Sequence, residues 1–73
     1  MPLLNDQVIL DVTLWKGEAR RRWTITKWAM GWSCRQVDGP SVIIYGCDTA
    51  EAMQTQRQAW EADIAALRAD GWS

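Results

Sequence analysis

Val42-Ile43-Ile44-Tyr45-Gly46-Cys47-Asp48-Thr49-Ala50-Glu51-Ala52-Met53 is the stretch in which the chain changes its period. Its first half is a β-branched run of the kind that fills strands. Beyond it, Met53, Trp60, Ile64 and Leu67 recur at steps of seven, four and three, which puts them on one narrow arc of an α-helix. Ala59, Ala62, Ala65 and Ala66 supply good helix formers around that arc. Asp48 with Glu51 three residues later has the pattern of a capping box, with Asp48 as the cap. Gly71 followed by Trp72 suits a left-handed stop, the tryptophan folding back toward Leu67. These signals predict a helix from about Thr49 to Ala69, roughly 30 Å long.

Upstream, the period is two. Val8, Leu10, Val12 and Leu14 alternate with Gln7, Asp11 and Thr13, which predicts a half-buried strand with Ile9 as the exception on its outer side. Lys16-Gly17-Glu18-Ala19 interrupts it. Arg20 to Trp28 then sets Arg22, Thr24 and Thr26 on one face against Trp23 and Ile25 on the other, so the two segments form a hairpin. Met30-Gly31 is a weaker break, and Trp32 to Val37 reads as either a strand or a loop. The Asp38-Gly39-Pro40-Ser41 turn and the run from Val42 complete a second hairpin. The expected fold is α+β: one domain over residues 1–73, with an antiparallel sheet of three or four strands and one long C-terminal helix packed on it. Its exposed sheet edges, the first strand or Val42 to Tyr45, are able to accept a strand from a partner.

The chain has 73 residues, 48% of them apolar and 23% charged, a balance that supports a folded soluble domain with one modest core. The longest uncharged stretch, Gly39 to Cys47, is half of what a spanning helix needs. Met1-Pro2-Leu3-Leu4-Asn5-Asp6 lacks the basic start and apolar middle of a secretory signal, so the cytoplasm is the expected compartment. Histidine is absent, which removes the side chain most used for acid–base chemistry near neutral pH and the commonest metal ligand. Cys34 and Cys47 are too few for a zinc site and are not spaced as a Cys-x-x-Cys motif. A hairpin register is able to bring the two thiols together across the strands, but a reduced pair is expected. Glu61 and Asp63 point to different helix faces, and no Gly-rich phosphate loop occurs. A binding protein without enzymatic activity, cofactor or metal is therefore expected.

The net charge of -1 conceals a strong polarity. Between Lys16 and Arg35 lie six of the eight bases against Glu18 alone, a net of +5, while Gln36 to Ser73 holds two bases against six acids, a net of -4. Six tryptophans and no phenylalanine are the second anomaly, and four of the six fall in or beside the basic stretch. Tryptophan with arginine is the composition of interface hot spots, and of single-strand nucleic-acid binding by stacking. Trp23, Trp60 and Trp72 are expected to pack inside. The partner-binding candidates are Trp15, Lys16, Arg20, Arg21, Arg22, Trp28 and Trp32.

Four features taken together carry a resemblance: the length, the Met1 to Asp6 start, Gly17-Glu18-Ala19-Arg20-Arg21-Arg22-Trp23, and the acidic alanine-rich helix ending Asp70-Gly71-Trp72-Ser73. In these the chain resembles the small RNA-polymerase-binding transcription regulators of lytic Xanthomonas phages. The resemblance implies an inhibitor that binds the β′ subunit near its N-terminus and also β, displaces the σ factor, and blocks initiation at host promoters. It also implies antitermination assisted by the elongation factor NusA. No short motif defines contact residues in that family, so the candidates above rest on the residues alone. A small nucleic-acid-binding module using the Arg/Trp patch is the alternative, although the acidic isoelectric point near 5.1 counts against it as the main activity. A self-associating structural protein is a third reading. The free protein is expected to be a monomer.

Overall fold

A computed structural model describes residues 7–73. The Met1 to Asp6 start, and the reading of it as no secretory signal, lie outside the described residues. Four strands, β1 (Gln7–Lys16), β2 (Ala19–Trp28), β3 (Gly31–Asp38) and β4 (Ser41–Cys47), precede one helix, α1 (Ala50–Ala69). The strands form a single antiparallel sheet in sequence order, β1-β2-β3-β4, so each neighbouring pair is a hairpin. Gly17 and Gly39 take φ of 61° and 57° at two of the hairpin turns, a region that glycine enters without steric cost. The α+β architecture expected from the sequence is the one found, with four strands.

Register assigns every side chain to one of two sheet faces. Val12 lies opposite Trp23, Trp23 opposite Gln36, and Ile25 opposite Cys34. These residues face α1, and there Leu14, Trp23, Ile25, Cys34 and Cys47 close with Met53, Trp60 and Ile64 into the buried core. Trp60 meets Tyr45 of β4 with ring centroids 6.4 Å apart, tilted by 54°, a favourable aromatic geometry. The helical arc expected from Met53, Trp60 and Ile64 is the buried one, with Leu67 partly buried beside it.

Two local readings are corrected. The first concerns β1, whose register slips between Val8 and Leu10. This β-bulge leaves Ile9 as an extra residue packed with Leu10 against the core and turns Val8 outward, to 66% exposure. The alternation from Val8 expected the reverse. The second concerns the cap of α1, which is Thr49 and not Asp48: the Thr49 hydroxyl accepts the Ala52 N–H at 3.1 Å. Trp32 to Val37, open between strand and loop in the sequence, belongs to a regular strand. Gly31, which opens that strand, has φ of 147° and lies so close to Cys47 that a Cβ there would run into the Cys47 carbonyl oxygen.

The far end of α1 closes as expected. Gly71, with φ of 100°, donates to the Arg68 carbonyl at 3.2 Å, and Trp72 donates to the Leu67 carbonyl at 3.0 Å. That pair of bonds is a Schellman motif. Ser73 then reaches β1: the Trp15 N–H donates to the Ser73 carbonyl at 2.7 Å, and the Ser73 N–H to the Trp15 carbonyl at 3.0 Å.

Candidate functional site: the open face of the sheet

Among the described residues, the helix covers one face of the sheet and nothing covers the other. On the other, alternation along β2 aligns Arg20, Arg22, Thr24, Thr26 and Trp28 in one row. Cross-strand pairing adds the flanks. Trp15 lies opposite Arg20, Thr13 opposite Arg22, and Asp11 opposite Thr24 on β1; Val37 lies opposite Arg22 and Arg35 opposite Thr24 on β3. From β4, Val42 sits against Val37 and Ile44 against Arg35. Arg20, Arg22, Thr24, Arg35, Val37, Gly39 and Val42 line a shallow depression of about 480 Å³.

Strand alternation therefore divides the sequence candidates. Trp15, Arg20, Arg22 and Trp28 stand on the open face, and the two tryptophans are about half exposed. Lys16, Arg21 and Trp32 stand on the helix side, where each has a structural task. Lys16 Nζ donates to the Asp70 carbonyl at 2.8 Å and pairs with the Asp70 carboxylate at 3.3 Å, complementing the negative end of the helix. The Arg21 guanidinium lies 5.1 Å from the Trp72 ring centroid and its Nε is 3.4 Å from the Asp38 carboxylate. Trp32 packs against the core beneath Lys27, whose Nζ is 4.8 Å from its ring centroid. Consecutive residues of a strand point to opposite faces, so Arg20 and Arg22 share the open face while Arg21 lies on the helix side. The member missed by sequence reading is Arg35. Its phase was hidden while the Trp32 to Val37 segment lacked an assigned register.

Charge on the open face is one-sided. Arg20, Arg22 and Arg35 are opposed by Asp11 alone among the described strand residues of that face, and Asp11 accepts from Arg22 Nε and from its terminal nitrogen, both at 3.1 Å. This forked bond to the carboxylate raises the Arg22 pKa, so the guanidinium stays fully charged. Arg20 lies over Trp15 at 5.7 Å from the ring centroid, which holds that ring beside the guanidinium row. The acids Asp48, Glu51, Glu61, Asp63 and Asp70, against Arg57 and Arg68, belong to the helix and its two ends, on the other side of the sheet. The low isoelectric point therefore does not describe the open face.

The other chemistry-bearing group is the thiol pair. Cys34 and Cys47 Sγ lie 3.7 Å apart in the core as free cysteines. Burial, with the Cys47 contact, pushes the Cys34 thiol up to about 12, which keeps it protonated and a poor nucleophile. Among the described residues no group of three or more His, Cys, Asp or Glu is placed to hold a metal, and no helix is long and apolar enough to cross a membrane. Comparison of the chain with family models, with curated proteins and with solved structures finds no match in any of the three.

Proposed function

We propose that the protein is a regulator that acts by binding and not by catalysis, and that its target is bacterial RNA polymerase. It engages the N-terminal region of β′ together with β, displaces σ to stop initiation, and promotes antitermination, with NusA as a helper, in the cytoplasm of the host cell. The observation that supports this best is the unpaired edge of the sheet at β4. Among the described residues nothing pairs with the outer edge of β4, and Val42, Ile43, Ile44 and Tyr45 are all exposed there, from 44% to 65%. An edge of this length with no charged side chain offers unpaired N–H and C=O groups to an incoming strand of a protein partner. The sequence resemblance to phage polymerase regulators supplies the identity of that partner.

The test is purified protein added to core polymerase and to σ-holoenzyme, read by native gel and by promoter-directed transcription. The expected result is a stoichiometric complex with core enzyme, release of σ and loss of promoter transcripts, with Ile44→Lys on the β4 edge weakening all three. Absence of a complex with either enzyme form would sink the reading. Binding without σ release would leave a polymerase ligand of a different kind. A second reading, direct contact with nucleic acid, is favoured by one observation, the guanidinium row of the open face.

A further inference from the structure

We infer that the open face of the sheet is a binding site for single-stranded nucleic acid, running along β2 from the Trp15–Arg20 pair to Trp28 beside Arg22, Thr24 and Arg35. Three observations carry this. Arg20, Arg22 and Arg35 converge on one depression with a single acid of the described strand residues at its flank, and that acid is already bonded to Arg22. Trp15 and Trp28 stand at opposite ends of the row, 50% and 46% exposed, on the same face as the arginines. Thr24 and Thr26 fill the positions between, presenting small hydroxyls that leave the track unobstructed.

The ligand class follows from the spacing of these groups. Arg20 and Trp28 are eight residues apart on an extended strand, about 26 Å, a length that accommodates several nucleotides, within the range of site sizes on small β-rich binding domains. Guanidinium groups grip phosphates with forked hydrogen bonds. An exposed indole stacks on a base whose face is free, which a single strand offers and a duplex hides. A protein surface of acidic character would satisfy the arginines and meet Val37, Val42 and Ile44, but it would leave Trp15 and Trp28 at opposite ends of the row, away from the middle of an interface where hot spots cluster. The helix acids lie on the far side of the sheet, so the low isoelectric point does not oppose the site. RNA and DNA single strands share this chemistry.

The experiment uses the isolated full chain and fluorescence anisotropy of labelled oligo-U and oligo-dT 12-mers, with a 12-bp duplex and polyglutamate as competitors. Polymerase takes no part, so this outcome is separate from that of the polymerase test. Arg22 is already paired with Asp11, so the two phosphate contacts of Arg20 and Arg35 on a single strand give a slope of about -1.4 in log affinity against log salt, and affinity should drop roughly sevenfold between 50 and 200 mM salt. Arg35→Ala should weaken binding and flatten that slope. Trp28→Leu should lose about five- to hundredfold, the contribution of one base stack, with the slope unchanged. Arg57→Ala on the helix should change nothing. Failure of both oligonucleotides to bind at 50 mM salt overturns the proposal. So does equal affinity for the duplex, displacement by polyglutamate at matched charge, which would assign the face to an acidic protein, or an Arg57→Ala loss equal to that of Arg35→Ala.

Discussion

Removing the indole of Trp60 tests how much of the fold depends on one helix–sheet contact. Trp60 is 3% exposed, lies midway along α1, and meets Tyr45 and the core beneath. A buried tryptophan hides roughly 150 to 250 Å², worth about 4 to 6 kcal/mol at 25 cal/mol per Å². Alanine keeps a small part of that area, so Trp60→Ala should cost about 3 to 5 kcal/mol. A domain of this length is expected to have a total stability of about 4 to 11 kcal/mol, so the variant should be close to unfolding. The assay is urea denaturation followed by far-UV circular dichroism, with Trp60→Phe and Trp15→Ala measured beside it. Phenylalanine should recover more than half of the loss. Trp15→Ala removes a half-exposed ring and should cost about 1 kcal/mol or less. Because the helix and sheet share one core, strand and helix signals should be lost together. A Trp60→Ala midpoint within about 1 kcal/mol of the parent, or helix loss with the sheet intact, would refute the reasoning that the shared core holds both elements.

Three further outcomes follow from the same structure. Thr49→Ala should lower stability by about 1 kcal/mol through loss of its cap bond to Ala52, while Asp48→Ala should change it by half of that or less in a paired thermal melt. Gly31→Ala should destabilise by about 2 kcal/mol or more, since the φ of 147° is strained for alanine and its Cβ meets the Cys47 carbonyl; a chemical melt equal to the parent would show that the β2–β3 turn relaxes freely. The third concerns pH. The folded Cys34 pKa of about 12 lies above its ordinary value of 9.0, so its contribution to stability is complete below pH 9 and is lost as pH rises toward 12. The slope is about 1.4 kcal/mol per pH unit in that window. The difference in unfolding free energy between the parent and Cys34→Ala should shrink on that slope, and a difference independent of pH from 9 to 11 would contradict it.

The hairpins and the helix were legible because their signals are local. Alternation fixes Trp23 and Ile25 against Arg22 and Thr24, and Met53, Trp60 and Ile64 declare the buried arc. The bulge was not legible, since one inserted residue reverses the phase of all that precede it, and nothing in Val8-Ile9-Leu10 marks which residue is extra. The cap was ambiguous because Asp48 and Thr49 are adjacent and both competent. β3 was obscured because its helix-side positions are Trp32, Cys34, Gln36 and Asp38, two of them polar and near the sheet's end, which dilutes the alternation. The site was half legible for the same reason. Composition announced arginine with tryptophan, but only strand phase separates Arg20 and Arg22 from Arg21, and only the β2–β3 register brings Arg35 to them.

The sequence-ordered sheet also governs how the chain is made. Every strand pairing is a hairpin between neighbours, so the sheet is free to zip up while synthesis proceeds, at the fast rates of local contacts. Its helix-side face, with Leu14, Trp23, Ile25 and Cys34, stays bare until α1 has left the ribosome, and the Trp15–Ser73 bonds close the longest loop last. A nascent chain stalled before residue 60 would therefore be adhesive, an unfinished sheet with an oily side, and chaperone demand during production should track how quickly α1 follows the sheet.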